Sequence, residues 1–309
     1  MNLLHLKYAV EVAKTHSISK AAENLYMGQP NLSRAIKELE ESLGITIFRR
    51  TARGISVTPD GNEFLQRARR IVAQVEEVEE MYQSGSMRKQ SFSACVPRAS
   101  YFSNAFAAFS QRLSVNSPAE IFYNETNSMR TIDNIISGEF NIGIVRFQSS
   151  YEKYFKEMFS DKRLVSETVS EFSYLLMVKS DSPLAQMRDI TLDDLKGYIQ
   201  ITHADPYVPT LPLIDVKKAE ISEYVDKHIY VYERATQWTL LKTVPNTFMW
   251  TSPVPQQFLN EHSLVVRRCS INPKVYKDVL IYRQDYQLTE LDKQYLADVA
   301  ESKKQCGIE

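Results

Sequence analysis

The chain has 309 residues, of which 43% are hydrophobic, a composition typical of globular proteins and a length sufficient for two or three domains. Its 37 basic and 38 acidic residues nearly cancel, which excludes a polycation that binds nucleic acid through bulk charge. Any nucleic-acid binding must therefore be local. The three cysteines form no CxxC pair, which argues against a disulfide framework or a zinc site and favours a reducing compartment.

The opening segment, MNLLHLKYAVEVAKTHS, is interrupted by His5, Lys7, Glu11 and Lys14. It therefore lacks the continuous apolar core of a signal peptide. No apolar run elsewhere in the sequence approaches the length that spans a membrane. We predict a cytoplasmic protein that has no membrane partner.

Two short helices are predicted at the start of the chain. The first has an apolar stripe at helical spacing, formed by Leu6, Ala9, Val10 and Ala13. After the break THSIS, Ser19 is expected to cap a second helix, KAAENLY, whose small alanines allow another helix to cross closely.

A third helix is predicted in MGQPNLSRAIKELEESLG, with Gly28 as its N-cap and Gly44 at its end. One face is apolar, with steps of four, three and four between Leu32, Ile36, Leu39 and Leu43. The opposite face carries Pro30, Ser33, Arg34, Lys37 and Glu41. Two short helices joined by a tight turn form a helix-turn-helix, whose second helix enters a DNA major groove. An ordinary three-helix bundle with a solvated face is the alternative for this segment taken alone.

The next segment, ITIFRRTARGISVTPDG, alternates on both sides of ARG and is predicted to form a β-hairpin. Gly54 falls at its turn, and Arg49, Arg50 and Arg53 lie near its tip. A basic wing beside a recognition helix is suited to hold phosphates, while side chains at the helix start reach base edges. The two signals together favour DNA binding over a solvated bundle.

A long helix is predicted to begin at Thr58 and Pro59, an N-cap followed by a first-turn proline. Its apolar residues repeat every three or four positions, as in a coiled coil, and are Phe64, Ala68, Ile71, Val75, Val78 and Tyr82. A dimer through this seam is expected, because two-fold related helix-turn-helix units match two DNA half-sites. Packing of part of the seam on the chain's own domain is the alternative. The polar stretch SGSMRKQS then marks a domain boundary.

In order, AAENL, GQPNLSRAIKELEESLG, FRR and TPDG resemble the DNA-binding domain of the LysR-type transcriptional regulators, over residues 1 to about 85. The resemblance implies that the long helix dimerises and that partners include double-stranded DNA, a second copy or a dimer of dimers, and RNA polymerase. It also implies that Gln29, Pro30, Ser33 and Arg34 approach bases and nearby backbone, and that Arg50 and Arg53 hold phosphate from the wing. Lys37, on the exposed face of the same helix, is a further candidate for DNA contact. Gly28 stands where the family usually has serine, which changes one capping or phosphate contact and keeps the fold.

From residue 91 onward, short apolar strands alternate with helices. FSACV, EIFYN and NIGIV predict a βαβαβ unit with a parallel, doubly wound sheet. A second unit is expected from the strands FSYLLMV, GYIQITH, HIYVYE, TFMWTS and LVVRRC, and VYKDVLIYRQ and a last amphipathic helix complete the chain.

The resulting fold prediction is an N-terminal all-α winged helix-turn-helix plus a long linker helix, followed by an α/β effector domain. The resemblance implies two Rossmann-like subdomains in that domain, similar to type II periplasmic binding proteins, with a small molecule between them. The predicted ranges are 1–58 for the DNA-binding domain, 59–90 for the linker and dimerisation helix, and 91–309 for the effector domain. Subdomain I is expected at about 91–163 and 273–309 and subdomain II at about 164–272.

Effector contacts are expected in the loops at the carboxyl ends of the strands, where open α/β sheets bind ligands. The candidates are Ser100, Thr126, Asn127, Ser128, Arg146, Thr202, His203 and Thr247. Hydroxyls and amides at these positions are also common helix caps, which is their alternative role, and a surface salt bridge is the alternative for Arg146. Arg98 and Arg146 together with several helix starts indicate an anionic effector. No metal or cofactor is predicted.

Two other functions are weighed. An enzyme would need a catalytic motif, but the sequence has no GxSxG, P-loop, GxGxxG or HExxH, and its five histidines show no metal-ligand spacing. A regulator without a ligand, whose cleft is filled by tyrosine and phenylalanine side chains, remains the closer alternative.

Overall fold

The computed structural model describes residues 2–51, 54–82, 89–188, 190–204, 225–269 and 272–308. The chain divides into two compact units, which we call the N-terminal unit, Met1–Arg88 with Ile136–Glu139, and the C-terminal unit, Lys89–Ile135 with Phe140–Glu309. Within the described ranges, no helix is both long enough and apolar enough to cross a membrane.

In its described residues, the N-terminal unit has four helices and a two-stranded hairpin, in the order α1 (Leu3–Thr15), α2 (Ile18–Asn24), α3 (Gln29–Leu43), β1 (Phe48–Thr51), β2 (Gly54–Val57) and α4 (Pro59–Tyr82). The apolar face of α3 is buried at Leu32, Ile36 and Leu39, as its period predicts. Gly44 ends α3 with φ of 69°, a left-handed conformation that glycine adopts without steric cost. One cap differs from the prediction: Ser17 rather than Ser19 caps α2, because its side chain accepts the backbone N–H of Lys20.

The long helix α4 has two faces with different partners. Ala68 and Val72 are buried and form a cluster with Leu6 of α1. Ala68 was expected in the dimer seam, but it is 1% exposed and covered by the chain's own helix. Phe64 also packs against this cluster. The later seam positions are open: Ile71 is 41% and Val78 52% exposed, and Val75 is partly exposed. The side chain of Tyr82 lies outside the described part of the chain.

Subdomain I is built on a sheet with the strand order β4-β3-β5-β12-β6. Its elements are β3 (Gln90–Val96), α5 (Ser100–Ser110), β4 (Ala119–Glu125), α6 (Ser128–Ser137), β5 (Ile142–Gln148), α7 (Glu152–Asp161), β6 (Leu164–Ser173), β12 (Val275–Arg283) and α10 (Glu290–Gln305). The strands β4, β3 and β5 are parallel, whereas β12 runs antiparallel to both β5 and β6. Phe92, Phe109 and Tyr295 meet in its aromatic core.

Subdomain II is built on a second sheet with the strand order β11-β7-β10-β8-β9. Its elements are β7 (Leu175–Lys179), β8 (Ile199–His203), β9 (Lys227–Val231), α8 (Arg234–Thr243), β10 (Thr247–Thr251), α9 (Gln256–His262) and β11 (Leu264–Arg267). The strands β10, β8 and β9 are parallel, and β7 runs antiparallel to β10 and β11. The segment TLDDLKG, residues 191–197, forms a single 3₁₀ turn at Asp193–Leu195.

The first crossing between the subdomains falls later than predicted. β6 belongs to the sheet of subdomain I, where it pairs along its whole length with β12. The chain therefore crosses at Tyr174, between β6 and β7, and the expected start of subdomain II at about residue 164 is wrong. β6 escaped prediction because its sequence, LVSETVSEFS, is largely polar, and an exposed edge strand carries only a weak apolar signal. The return crossing lies between β11 and β12, close to the predicted position.

Candidate functional site

The start of α3 presents a polar surface opposite its buried face. Gln29, Pro30, Arg34 and Lys37 are exposed, and Ser33 is half-buried. Arg34 and Lys37 lie one turn apart, and Lys37 faces Glu41 across 3.6 Å on the exposed side. Such an exposed ion pair contributes little to stability, so Lys37 can exchange Glu41 for a phosphate at small cost.

The wing is fixed beside α3 by one carboxylate. Oε1 of Glu40 accepts the backbone N–H groups of Ile47 at 2.6 Å and of Phe48 at 2.9 Å. β1 then pairs antiparallel with β2. Arg49 is exposed on this hairpin, whereas the side chain of Arg50 and the whole of Arg53 lie outside the described residues.

A cleft in the C-terminal unit is lined by residues of both subdomains. Four of the eight predicted effector residues line it, namely Ser100, Arg146, Thr202 and His203. Most of the remaining lining residues were not predicted from the sequence, and they include Tyr174, Gln200, Arg234, Gln237, Trp238, Trp250, Thr251, Ser252 and Tyr276. The cleft therefore combines aromatic walls with several hydrogen-bonding groups.

Arg146 reaches the cleft but is held by a buried carboxylate. Its Nε and Nη2 donate to the two oxygens of Asp278 at 2.8 and 2.7 Å, and both side chains are almost completely buried. The hydroxyl of Tyr101 also donates to Asp278, and burial, reinforced by that carboxylate, raises the pKa of Tyr101 well above its usual value. Arg146 is therefore part of an internal ion pair, and the surface salt bridge considered from sequence is wrong.

Four predicted effector residues act as local backbone partners and do not line the cleft. Ser128 Oγ donates to the carbonyl of Arg146 at 2.6 Å and accepts its N–H at 3.0 Å. Asn127 Oδ1 accepts the N–H of Arg130, which is the capping role considered as the alternative. Thr247 Oγ1 donates to the carbonyl of Val244. Thr126 is buried, and its N–H donates to a carbonyl of β3.

Arg234, the first residue of α8, extends across the cleft to subdomain I. Its Nη2 donates to Ser100 Oγ at 2.9 Å and its Nη1 to Glu125 Oε1 at 2.5 Å. Its guanidinium lies 4.8 Å from the ring centre of Trp238, one turn further along α8. Burial raises the pKa of Glu125, whereas the positive charges of Arg234 and Arg98 oppose that rise. The only sequence signal for Arg234 was a cation at a helix N-terminus, where the helix dipole disfavours it.

Ser252, directly after β10, supplies a second polar group to the cleft. It is only 2% exposed, and within the described part of the chain its Oγ has no hydrogen-bond partner. Burying a hydroxyl without a partner costs about 1–3 kcal/mol. A bound molecule that hydrogen-bonds to Ser252 would recover this cost.

A winged helix-turn-helix, a long helix and two α/β subdomains around a cleft define a class of DNA-binding transcription regulators. The family model described as "Bacterial regulatory helix-turn-helix protein, lysR family" matches residues 3–62. AlsR of Bacillus subtilis is 30% identical over 213 residues, which cover 68% of this chain and 67% of AlsR. BenM of Acinetobacter baylyi is 42% identical over 81 residues, covering 26% of this chain and 27% of BenM. The chain belongs to the LysR family of transcriptional regulators.

Solved structures agree with the fold. Full-length OxyR from Pseudomonas aeruginosa superposes with a TM-score of 0.62 at 17% identity, covering 99% of this chain and 95% of OxyR. CbnR in complex with its target DNA gives a TM-score of 0.58 at 17% identity, covering 98% of this chain and all of CbnR. The predicted family and two-part fold are confirmed, and the relatives are transcriptional regulators rather than enzymes.

Proposed function

We propose that this LysR-type regulator recognises its operator with α3, and that a small molecule in the cleft modulates its activity. The exposed row of Gln29, Arg34 and Lys37, opposite a fully buried apolar face, is the observation that carries this proposal. A helix packed on one side and polar on the other can enter a major groove without losing its support.

Within this interface, we propose that Gln29 and Arg34 contact bases. Pro30 and Ser33 contact the DNA beside them, at the start of α3. Lys37 and the wing arginines bind phosphates. Arginine forms bidentate hydrogen bonds with guanine, and glutamine forms them with adenine, so these side chains can discriminate bases. Phosphate contacts hold the protein in register and carry no base information themselves.

The proposed assembly is a dimer, or a dimer of dimers, built through the open face of α4. Ile71 and Val78 are exposed on this face two turns apart, and Val75 lies between them. When a second copy covers exposed apolar side chains at this spacing, their burial stabilises the dimer. The two recognition helices of a dimer then match two half-sites on the DNA. We place the protein in the cytoplasm and expect RNA polymerase as a further partner.

The effector is proposed to bind between the subdomains and to rotate one against the other. The two chain crossings are natural hinges for such closure. In an assembly, this rotation changes the spacing of the DNA-binding domains and hence the bend of the DNA. The hydroxyl of Ser252, unpartnered among the described residues, favours a ligand-binding cleft over one filled by the chain's own side chains.

Footprinting of the protein on the DNA that flanks its own gene, at two salt concentrations, tests the regulator function. We expect a protected, roughly palindromic site, and Arg34→Ala should abolish that protection while leaving weak binding to random DNA. Loss of a bidentate arginine–guanine contact lowers the binding free energy by about 1–3 kcal/mol per half-site. Arg188→Ala is the matched control, because Arg188 is an exposed arginine of subdomain II and lies outside the proposed DNA and dimer interfaces.

Equal losses on specific and random DNA would contradict base reading by Arg34. Protection that is no stronger than on random sequence would contradict the regulator's specificity itself. The effector part is tested separately by the bend angle of the protected DNA in the presence of compounds that raise the Tm of the protein. An unchanged bend with every stabilising compound would contradict it.

A further inference from the structure

An ion pair connects the two subdomains across the cleft. Arg234 begins α8 of subdomain II, and Glu125 ends β4 of subdomain I. Their side chains are 13% and 21% exposed, so the pair is largely shielded from water. Ser100 and Ser103 on α5 also accept from the Arg234 guanidinium, at 2.9 and 3.4 Å.

Placing the charged Arg234 at this position is electrostatically unfavourable for two reasons. A cation at the first residue of a helix is opposed by the helix dipole. A largely buried guanidinium also loses hydration, which only a nearby anion and hydrogen bonds can offset. Glu125 supplies that anion, but it is itself penalised, since burial raises its pKa. Within the described residues, Glu125 is the anion among the hydrogen-bond partners of Arg234, and another carboxylate can take its place at the guanidinium.

The neighbouring Arg146–Asp278 pair shows what a permanent ion pair in this unit looks like. It is bidentate, and its two side chains are 2% and 0% exposed. Both residues lie on paired strands of the same sheet. Arg234, which lines the cleft, and Glu125 instead share a single short contact and come from different subdomains. The second arrangement can open without disrupting a sheet.

We propose that Arg234 is the receptor for a carboxylate group of the effector, and that Glu125 occupies this receptor when no effector is bound. This inference rests on the proposed effector function of the cleft. The ligand class is an organic carboxylate with an apolar or aromatic body, because Tyr174, Trp250 and Tyr276 form walls of the same cleft. Ser252 supplies a further hydrogen bond to a polar group on that body.

Binding therefore exchanges one carboxylate for another on Arg234. When the effector displaces Glu125, this direct link between the subdomains is broken and is replaced by a link through the ligand. The charge at Arg234 remains neutralised, so the exchange avoids exposing a buried cation. The resting orientation of the subdomains is set by Glu125 and the bound orientation by the effector.

Chemical rescue in the full-length protein tests the receptor with acetate as the probe, whatever the natural effector is. Glu125→Ala removes the internal carboxylate and leaves room for a small anion beside Arg234. We expect this variant to have a lowered Tm that sodium acetate raises and that acetamide, its neutral counterpart, does not. At about ten times its Kd, acetate increases the ratio of folded to unfolded protein about 11-fold. Sodium chloride at equal ionic strength corrects for screening.

Three variants control the rescue. Glu125→Gln leaves no space for acetate and should not respond, and the double variant Glu125→Ala with Arg234→Gln lacks the receptor and should not respond either. Glu152→Ala removes another ion-paired carboxylate of this unit, one that lies outside the cleft. Equal responses of Glu125→Ala to acetate and acetamide, or no response while circular dichroism shows a folded protein, would overturn the proposal.

A distance measurement separates the link between subdomains from a merely local stabilising contact. Spin labels at Lys153 in subdomain I and Asp193 in subdomain II, both exposed, report the separation of the subdomains. Glu125→Ala should shift or broaden their distance distribution, and acetate should restore the distribution of the parent protein. A distribution that is the same in both proteins would contradict the linking role of Glu125.

Failure of this inference can be distinguished from failure of the proposed function. Rescue by acetate requires neither DNA nor the natural effector. If acetate rescues Glu125→Ala but DNA bending responds to no compound, the receptor stands and the effector function fails. If DNA bending responds to a compound while acetate gives no rescue, only the receptor assignment fails.

Discussion

At the scale of single residues, the position of a residue in the sequence predicted only part of the cleft lining. The rule that ligands lie at the carboxyl ends of strands selected Ser100, Thr202 and His203, and these three residues line the cleft. It failed for Ser128 and Thr247, because the same loops also need side chains to satisfy free backbone groups, and sequence does not give a side chain's direction. Arg234 was missed because its partner, Glu125, is more than a hundred residues away in the chain.

Gly61, the glycine of TPDG, illustrates a residue whose role is purely steric. A Cβ built on Gly61 would lie 2.3 Å from the carbonyl oxygen of Ile47, the residue before the wing. Alanine in a helix is favoured over glycine by about 1 kcal/mol, but a backbone clash of this size cannot be relieved by a rotamer change. The clash outweighs the propensity gain, so the close approach requires glycine.

We therefore expect Gly61→Ala to lower the free energy of unfolding of the N-terminal unit by about 1–3 kcal/mol. Urea denaturation measures this loss. Asn62→Ala, at the exposed neighbouring position in the same turn, should change stability by less than about 0.5 kcal/mol. A stabilised Gly61→Ala protein would show that α4 can move away from Ile47.

At the scale of secondary-structure elements, the spacing of apolar residues predicted the helices well but only some of the strands. The helices α3 and α10 formed where their apolar stripes predicted them, because an amphipathic helix shows its burial in its own sequence. β6 was missed, since pairing with β12 depends on residues far away in the chain. The heptad spacing of α4 predicted its apolar seam, but it did not show which part packs on the chain's own α1 and which part stays open.

The open half of α4 gives a prediction about assembly. Ile71→Asp with Val78→Asp places two charges on the face that we propose to be covered in the dimer. Burying an unpaired carboxylate is strongly unfavourable, so the dimer Kd should rise at least about 100-fold. Sedimentation equilibrium measures it. Ala73→Asp, at an exposed position on the opposite side of the helix, should leave the Kd within about threefold. An unchanged Kd in the double variant would place the interface elsewhere.

The contact between α7 and β12 gives a prediction about pH. Hydrogen bonds from Lys156 and Lys277 lower the pKa of Glu152 from 4.5 to about 2. Because the folded pKa lies below the unfolded one, this carboxylate stabilises the fold above pH 4.5, and the contribution is lost as the pH falls toward 2. The Tm difference between the parent protein and Glu152→Gln should therefore shrink across this window. Glu157→Gln, an exposed change on the same helix, should show a smaller pH dependence. A difference that is constant with pH would contradict the assignment.

At the scale of the whole molecule, the near-zero charge constrains how the protein binds DNA. With a formal net charge of -1, long-range attraction to DNA is absent, and affinity must come from a few local cations. Each phosphate neutralised contributes about 0.9 to the slope of log K against log salt. In a dimer, every wing residue counts twice.

Arg49 is the described wing arginine whose side chain is exposed, and its removal should therefore be measurable in the salt dependence. We expect Arg49→Ala to weaken binding to specific and random DNA by a similar factor and to reduce the slope of log K by about 2 for a dimer. Fluorescence anisotropy across a salt series measures both quantities, with Arg188→Ala as the matched arginine outside the proposed DNA and dimer interfaces. A loss confined to the operator, with an unchanged slope, would mean that Arg49 reads bases. The wing would then share recognition with α3, and the proposed division between base and phosphate contacts would fail.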